Sequence, residues 1–141
     1  MSNAPQQLKP AAAASLALWH DMIARCDMTG LAAIAHPDVV FRSPAVFAPY
    51  QSAPVLVQII STVVQVFEDF TYHRELATDD GLNVVLEFSA RVGDRELKGI
   101  DMIRFDKDGK IVEFEVMVRP LSGLQALSGE MGQRLKAAGP A

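Results

Sequence analysis

Residues 82–118, LNVVLEFSARVGDRELKGIDMIRFDKDGKIVEFEVMV, decide the fold. Apolar and polar residues alternate through the runs 82–92, 96–105 and 110–118, which are broken at Gly93-Asp94 and Asp108-Gly109. Period-two alternation turns one face of each run into a core, and the two Gly/Asp pairs are hairpin turns, so the runs form an antiparallel meander. Phe70 to Leu76, ahead of the turn Asp79-Asp80-Gly81, adds a fourth strand.

Upstream the period changes to that of a helix. Leu16, Trp19, Ile23 and Cys26 share one face, which gives a helix from Ala11 to about Cys26. Asp27 is positioned to cap a short second helix that buries Leu31 and Ile34 and stops near His36, because Pro37 disfavours helical geometry in the residue before it. Val39 to Ser43 reads as a strand. Residues 55–67 are rich in β-branched side chains, yet the polar positions Gln58, Ser61, Thr62 and Gln65 fall three or four apart, so the period predicts a helix buried over most of its circumference. After Pro120, a final helix carries Leu121, Leu124, Leu127, Met131 and Leu135 on one stripe, weakened by Gly123, Gly129 and Gly132. Helices followed by a meander define an α+β chain, with helices wrapped on one face of a curved antiparallel sheet. Residues 1–10 are expected to be a disordered tail and 11–138 a single domain.

Composition excludes several classes. The 141 residues are half apolar and carry a net charge of -4 with no basic stripe, which argues against a nucleic-acid partner. The apolar window 55–67 is too short to span a bilayer, and the Ala11 to Trp19 stretch runs into an amphipathic helix rather than a cleavage site, so no membrane association is expected. Cys26 is the only cysteine, which rules out an intramolecular disulfide and places the chain in the cytoplasm. His20, His36 and His73 lack metal-ligand spacing, and the Asp106-Lys107-Asp108-Gly109 segment has Lys110 and Met117 where a calcium loop needs oxygens. Neither a metal nor a cofactor is expected.

Strand parity then sorts the faces. Val112, Phe114, Val116 and Val118 turn toward the helices, as do Leu86, Phe88 and Ala90. In the strand 96–105, Leu97, Gly99, Asp101, Ile103 and Phe105 form the more continuous apolar row, which takes Asp101 inward with it. A carboxylate in that position must be partnered, neutralised by a raised pKa or set in a wet pocket. A structural aspartate bonded to backbone amides is the plainer alternative. The opposite face holds Ile100, Met102 and Met117 among charged residues, which suits a homodimer built through the outer sheet face; a solvated face with scattered apolar residues is the other reading.

Two segments, Val39-Val40-Phe41-Arg42-Ser43-Pro44 and Gly99-Ile100-Asp101-Met102-Ile103-Arg104-Phe105-Asp106-Lys107-Asp108-Gly109-Lys110-Ile111, resemble the NTF2-like superfamily, in its SnoaL-like polyketide cyclase and ketosteroid isomerase branch. The resemblance runs from the first helix to Val118. It implies that Asp101 corresponds to the strand aspartate that the isomerases keep protonated to bond a substrate oxyanion, or to the general acid or base of the cyclases. The isomerase's proton-abstracting carboxylate would fall at Ser43 and its tyrosine near Met22, with only Trp19 and His20 close by. Two of that enzyme's three groups are thus absent, which speaks against steroid isomerisation.

These readings lead to a small-molecule pocket protein: an isomerase, cyclase or hydrolase for an apolar, oxygen-bearing ligand, with Asp101 as proton donor or acceptor. The expected lining is Trp19, Phe41, Ser43, Tyr50, Leu86, Phe88, Phe114, Val116 and Val118. A non-catalytic binding protein and an interaction module using the outer sheet face are the alternatives. Tyr50 and Tyr72 are expected at the pocket mouth without a chemical role.

Overall fold

Ser52 accepts a hydrogen bond from the Val55 N–H (3.3 Å) and so starts the helix whose β-branched composition favoured a strand. The structure, a computed structural model, describes residues 8–138. Its elements are α1 (Pro10–Arg25), α2 (Leu31–Ile34), β1 (Ala35–Arg42), β2 (Tyr50–Gln51), α3 (Ala53–Val66), β3 (Glu68–Ala77), β4 (Asn83–Val92), β5 (Arg95–Phe105), β6 (Ile111–Arg119) and α4 (Leu121–Ala138). Only Pro54 and Gln65 of α3 are exposed, as its lack of charge requires.

One six-stranded sheet runs in the order β2-β1-β6-β5-β4-β3. The β3 to β6 pairings are antiparallel, as the hairpin turns dictate. The sheet as a whole is mixed rather than purely antiparallel, because β1 pairs parallel with β6. The main core gathers Trp19, Leu31, Phe41, Leu56, Phe105 and Phe114, and a second cluster joins Phe88, Ala90 and Leu97 to Leu127 of α4.

Several local expectations are corrected. Residues 8–10, expected in the tail, belong to the fold: Leu8 is buried in the core, the Lys9 N–H donates to the Gly81 carbonyl, and Pro10 opens α1. The rest of the expected tail, residues 1–7, lies outside the described residues. Asp27 does not cap α2, whose N-cap is Gly30; its carboxylate instead accepts from the Thr29 N–H and hydroxyl. In β6 the inward position assigned to Val112 belongs to Ile111, since Arg104 pairs with Glu113 and Phe105 with Ile111, leaving Val112 as the extra residue of a β-bulge. Leu121 drops out of the α4 stripe and is 69% exposed.

Two glycines mark close approaches. A Cβ at Gly99 would lie 2.6 Å from the Phe88 ring, its cross-strand partner, and 2.4 Å from the Met117 carbonyl oxygen. At Gly123 it would lie 2.8 Å from the Leu97 Cβ, so this glycine seats α4 on β5 rather than merely weakening the helix.

Candidate active site

The helices leave part of the concave sheet face uncovered, and the space is a cavity of about 860 Å³. Its wall is predominantly apolar. Phe41, Phe88, Phe114 and Val116 come from the sheet, Ile59, Ile60, Val63 and Val64 from α3, and Leu124, Leu127, Met131 and Leu135 from α4. The last helix therefore closes the cavity of its own chain. Of the expected lining, Trp19, Phe41, Ser43, Tyr50, Phe88, Phe114 and Val116 stand in the wall together with Asp101. Leu86 and Val118 do not. Leu86 is sealed in the main core and Val118 packs against the second cluster, because inward parity puts a side chain on the concave face but not in the part of it that the helices leave open.

Asp101 is 6% exposed, and among the described residues no backbone amide partners its carboxyl group. Its Oδ2 accepts the Tyr72 hydroxyl proton at 2.6 Å. The Tyr72 oxygen in turn accepts the Trp19 indole N–H at 3.0 Å. An indole nitrogen can only donate, so the chain of bonds has one direction: Trp19 to Tyr72 to Asp101. Asp101 Oδ1 is left without a protein partner among the described residues, yet no buried side-chain oxygen or nitrogen there lacks one. Oδ1 must therefore open on the cavity.

Burial pushes the Asp101 carboxyl up to about 7, against a smaller opposing pull from the Tyr72 hydrogen bond. Tyr72 is itself raised well above the usual phenol range, by burial first and then by the Asp101 charge. The site thus holds a carboxyl group that can carry its proton near neutral pH, aimed into apolar space. Tyr72 is the residue whose importance sequence reasoning missed. Its signal was present in the parity of Phe70 and Tyr72, which puts both inside.

Ser43 follows β1 at the cavity wall, where its Oγ accepts the Ala45 and Val46 N–H groups at 3.1 and 3.2 Å and its single proton remains to donate. Tyr50 lies at the rim, stacked on Phe41 with ring centroids 6.3 Å apart. The histidines are dispersed: His36 Nδ1 accepts the Asp38 N–H, His73 bonds Ser89 on the outer face, and His20 meets Glu75. No group of three or more His, Cys, Asp or Glu suited to a metal exists among the described residues. None of their helices is long and apolar enough to cross a membrane.

A mixed curved sheet closed by helices over a cavity defines the α+β architecture of the NTF2-like proteins. This chain belongs to the SnoaL-like domain family of that superfamily, whose family model matches residues 16–114. It is similar to a steroid delta-isomerase from Pseudomonas aeruginosa, at 66% identity over 93% of this chain and 96% of that one, with a TM-score of 0.92. An uncharacterized bacterial protein with a cystatin-like fold from Silicibacter pomeroyi DSS-3 aligns at 29% identity over 92% and 87% of the two chains, with a TM-score of 0.82. The epoxide hydrolase/cyclase-like enzyme SalBIII of polyether salinomycin shares the fold, at 13% identity, a TM-score of 0.64 and coverage of 79% and 92%. Among curated proteins none matches the chain.

Proposed function

We propose that the protein is an acid–base isomerase for an apolar ketone, with Asp101 as the proton donor to the ligand oxygen. The observation that carries this reading is the unpartnered Asp101 Oδ1 at the wall of an apolar cavity, on a carboxyl group raised to about 7. A neutral carboxylic acid there donates to a carbonyl oxygen as negative charge develops on it, and the apolar surroundings strengthen that interaction. The likeness to a steroid delta-isomerase supports a ketosteroid as the first substrate to try. It also weakens the expectation against steroid isomerisation, one of whose two grounds is met only in part: Tyr72 reaches the acid from β3 rather than from α1, and its one hydroxyl proton goes to Asp101. The other ground stands, since Ser43 occupies the place of the proton-abstracting carboxylate. For that reason binding without turnover is the second reading.

The test is conversion of a β,γ-unsaturated ketosteroid to its conjugated isomer, followed by ultraviolet absorption. Asp101→Asn should lower kcat by about 100-fold or more, the usual worth of a general acid. Because the acid must hold its proton, wild-type activity should fall as pH rises through about 7. Tight binding of the ketosteroid with no conversion would favour the second reading. The free, exposed thiol of Cys26 supports a reducing compartment, the cytoplasm, and the outer sheet face supports a homodimer.

A further inference from the structure

A general acid moves a double bond only if a second group removes a proton from carbon. Besides Asp101 and Tyr72, the ionisable side chains of the cavity wall are His20, Cys26, Tyr50 and Asp69. Asp69 is 75% exposed and bound to Arg91 at 2.8 Å, while Cys26 and Tyr50 are exposed. His20 differs from these. Its Nε2 lies 2.6 Å from Glu75 Oε1, and its ring meets Tyr72 edge-on with centroids 5.2 Å apart.

The pairing depends on an irregularity in β3. Tyr72 pairs with Phe88 and Glu75 with Leu86, so three steps along β3 match two along β4. In a regular strand, residues three apart face opposite sides of the sheet. The extra residue brings Tyr72 and Glu75 to the same side, where consecutive residues of α1, Trp19 and His20, each take one of them. Bulges that re-aim a side chain are common beside active sites.

We infer that His20, oriented by Glu75, is the base that complements Asp101 in this cavity; the inference rests on the acid role proposed above. Against a carboxylate, Nε2 carries the hydrogen, which leaves the Nδ1 lone pair free to accept a proton. Nδ1 takes a proton from the carbon next to the ligand carbonyl while Asp101 gives its own to the carbonyl oxygen, forming a neutral dienol, an imidazolium beside Glu75 and an Asp101 carboxylate. The imidazolium then returns its proton to the far carbon of the dienol, and the enol proton goes back to Asp101. The double bond has moved and no reagent is consumed. Glu75 stabilises the imidazolium, as a buried carboxylate does for other catalytic histidines. The groups facing His20 are Glu75 and Tyr72 of β3 and, through Tyr72, Asp101 of β5. Its side chain is 35% exposed, so it can also exchange protons with water.

The test compares His20→Gln, Glu75→Gln and Asp101→Asn on the β,γ-unsaturated ketosteroid across pH. The His20 variant should lose about 100-fold in kcat with little change in KM, and its rate should no longer fall on the acid side. Glu75→Gln should show a smaller loss with the same change of profile. Unchanged kcat and an intact acid limb in His20→Gln would overturn the role of His20, while a loss in Asp101→Asn alone would leave the acid reading standing. If the wild type does not convert the ketosteroid, 2-naphthol serves as an enol probe, with the His20 ring followed by NMR. Movement of that ring to the imidazolium position on binding supports the base role even then, and no movement overturns it.

Discussion

At the residue scale, a single carboxyl group couples the site to the stability of the fold. Asp101 is raised from an ordinary 3.8 to about 7, so between these values the folded protein holds a proton that the unfolded chain has released. Stability from this group is complete below about pH 3.8, declines as pH rises through that window, and is level above it. The full decline corresponds to on the order of 4 kcal/mol. In Asp101→Asn the side-chain oxygen can still accept the Tyr72 proton and nothing titrates, so the variant should match the wild type near pH 3.5 and exceed it near pH 8. Urea denaturation of both proteins at the two pH values measures the difference directly. A wild type that gains on the variant as pH rises would show that Asp101 is stabilised as an anion.

At the element scale, legibility followed the physics of pattern. The meander, α1, α3 and α4 were readable because each presents a regular period to one core, and parity alone carried Asp101 inward. Features that break the period were not readable. The bulge at Val112 displaced an inward position by one residue, and the irregularity in β3 put Glu75 beside His20, whereas simple alternation sets it on the face opposite Tyr72. Leu86 and Val118 were expected in the cavity lining and lie on the correct face but outside the cavity, since which part of a sheet the helices leave open is a property of their packing. Gly99 tests the closeness of that packing. Gly99→Ala would push a methyl group against a backbone carbonyl that cannot move freely and a Phe88 ring in the cavity wall. It should cost about 1–3 kcal/mol in chemical denaturation and reduce ligand affinity at the same time.

At the scale of the whole molecule, the sheet separates two environments. Its concave side carries the cavity; its outer side carries Ile100 paired with Met117 and Val85 paired with Met102 across neighbouring strands, with Met117 45% and Met102 39% exposed. Among the charged groups that frame this strip, Glu115, across from Met102, and Arg119 have no ion-pair partner among the described residues, while Glu87 is matched with Arg74 and Lys98, and Glu113 with Arg42 and Arg104. These partners hold both carboxyl groups below the usual range. An apolar strip bordered by these pairs, with Glu115 and Arg119 of opposite charge beside it, can meet its own copy, which is the basis for the proposed homodimer. Sedimentation at about 20 micromolar, a concentration at which ordinary dimers persist, should show two chains, and Met117→Glu should give one. A monomeric wild type would leave the strip as solvated surface.

The parallel pairing of β1 with β6 also imposes an order in time. Phe41 must wait for Phe114, and the Ser15 hydroxyl bonds the Gly109 carbonyl at 2.6 Å across 94 residues of sequence. Until the last strand has left the ribosome, the first forty residues therefore lack the surface they are shaped to cover, while β3, β4 and β5 can already pair with their immediate neighbours. Contacts between distant residues form slowly because the intervening loop must first be closed. Synthesis thus delivers α1 and the acid-bearing strand at separate moments, and the cavity is complete only when the C-terminal quarter of the chain, with β6 and α4, has joined the rest.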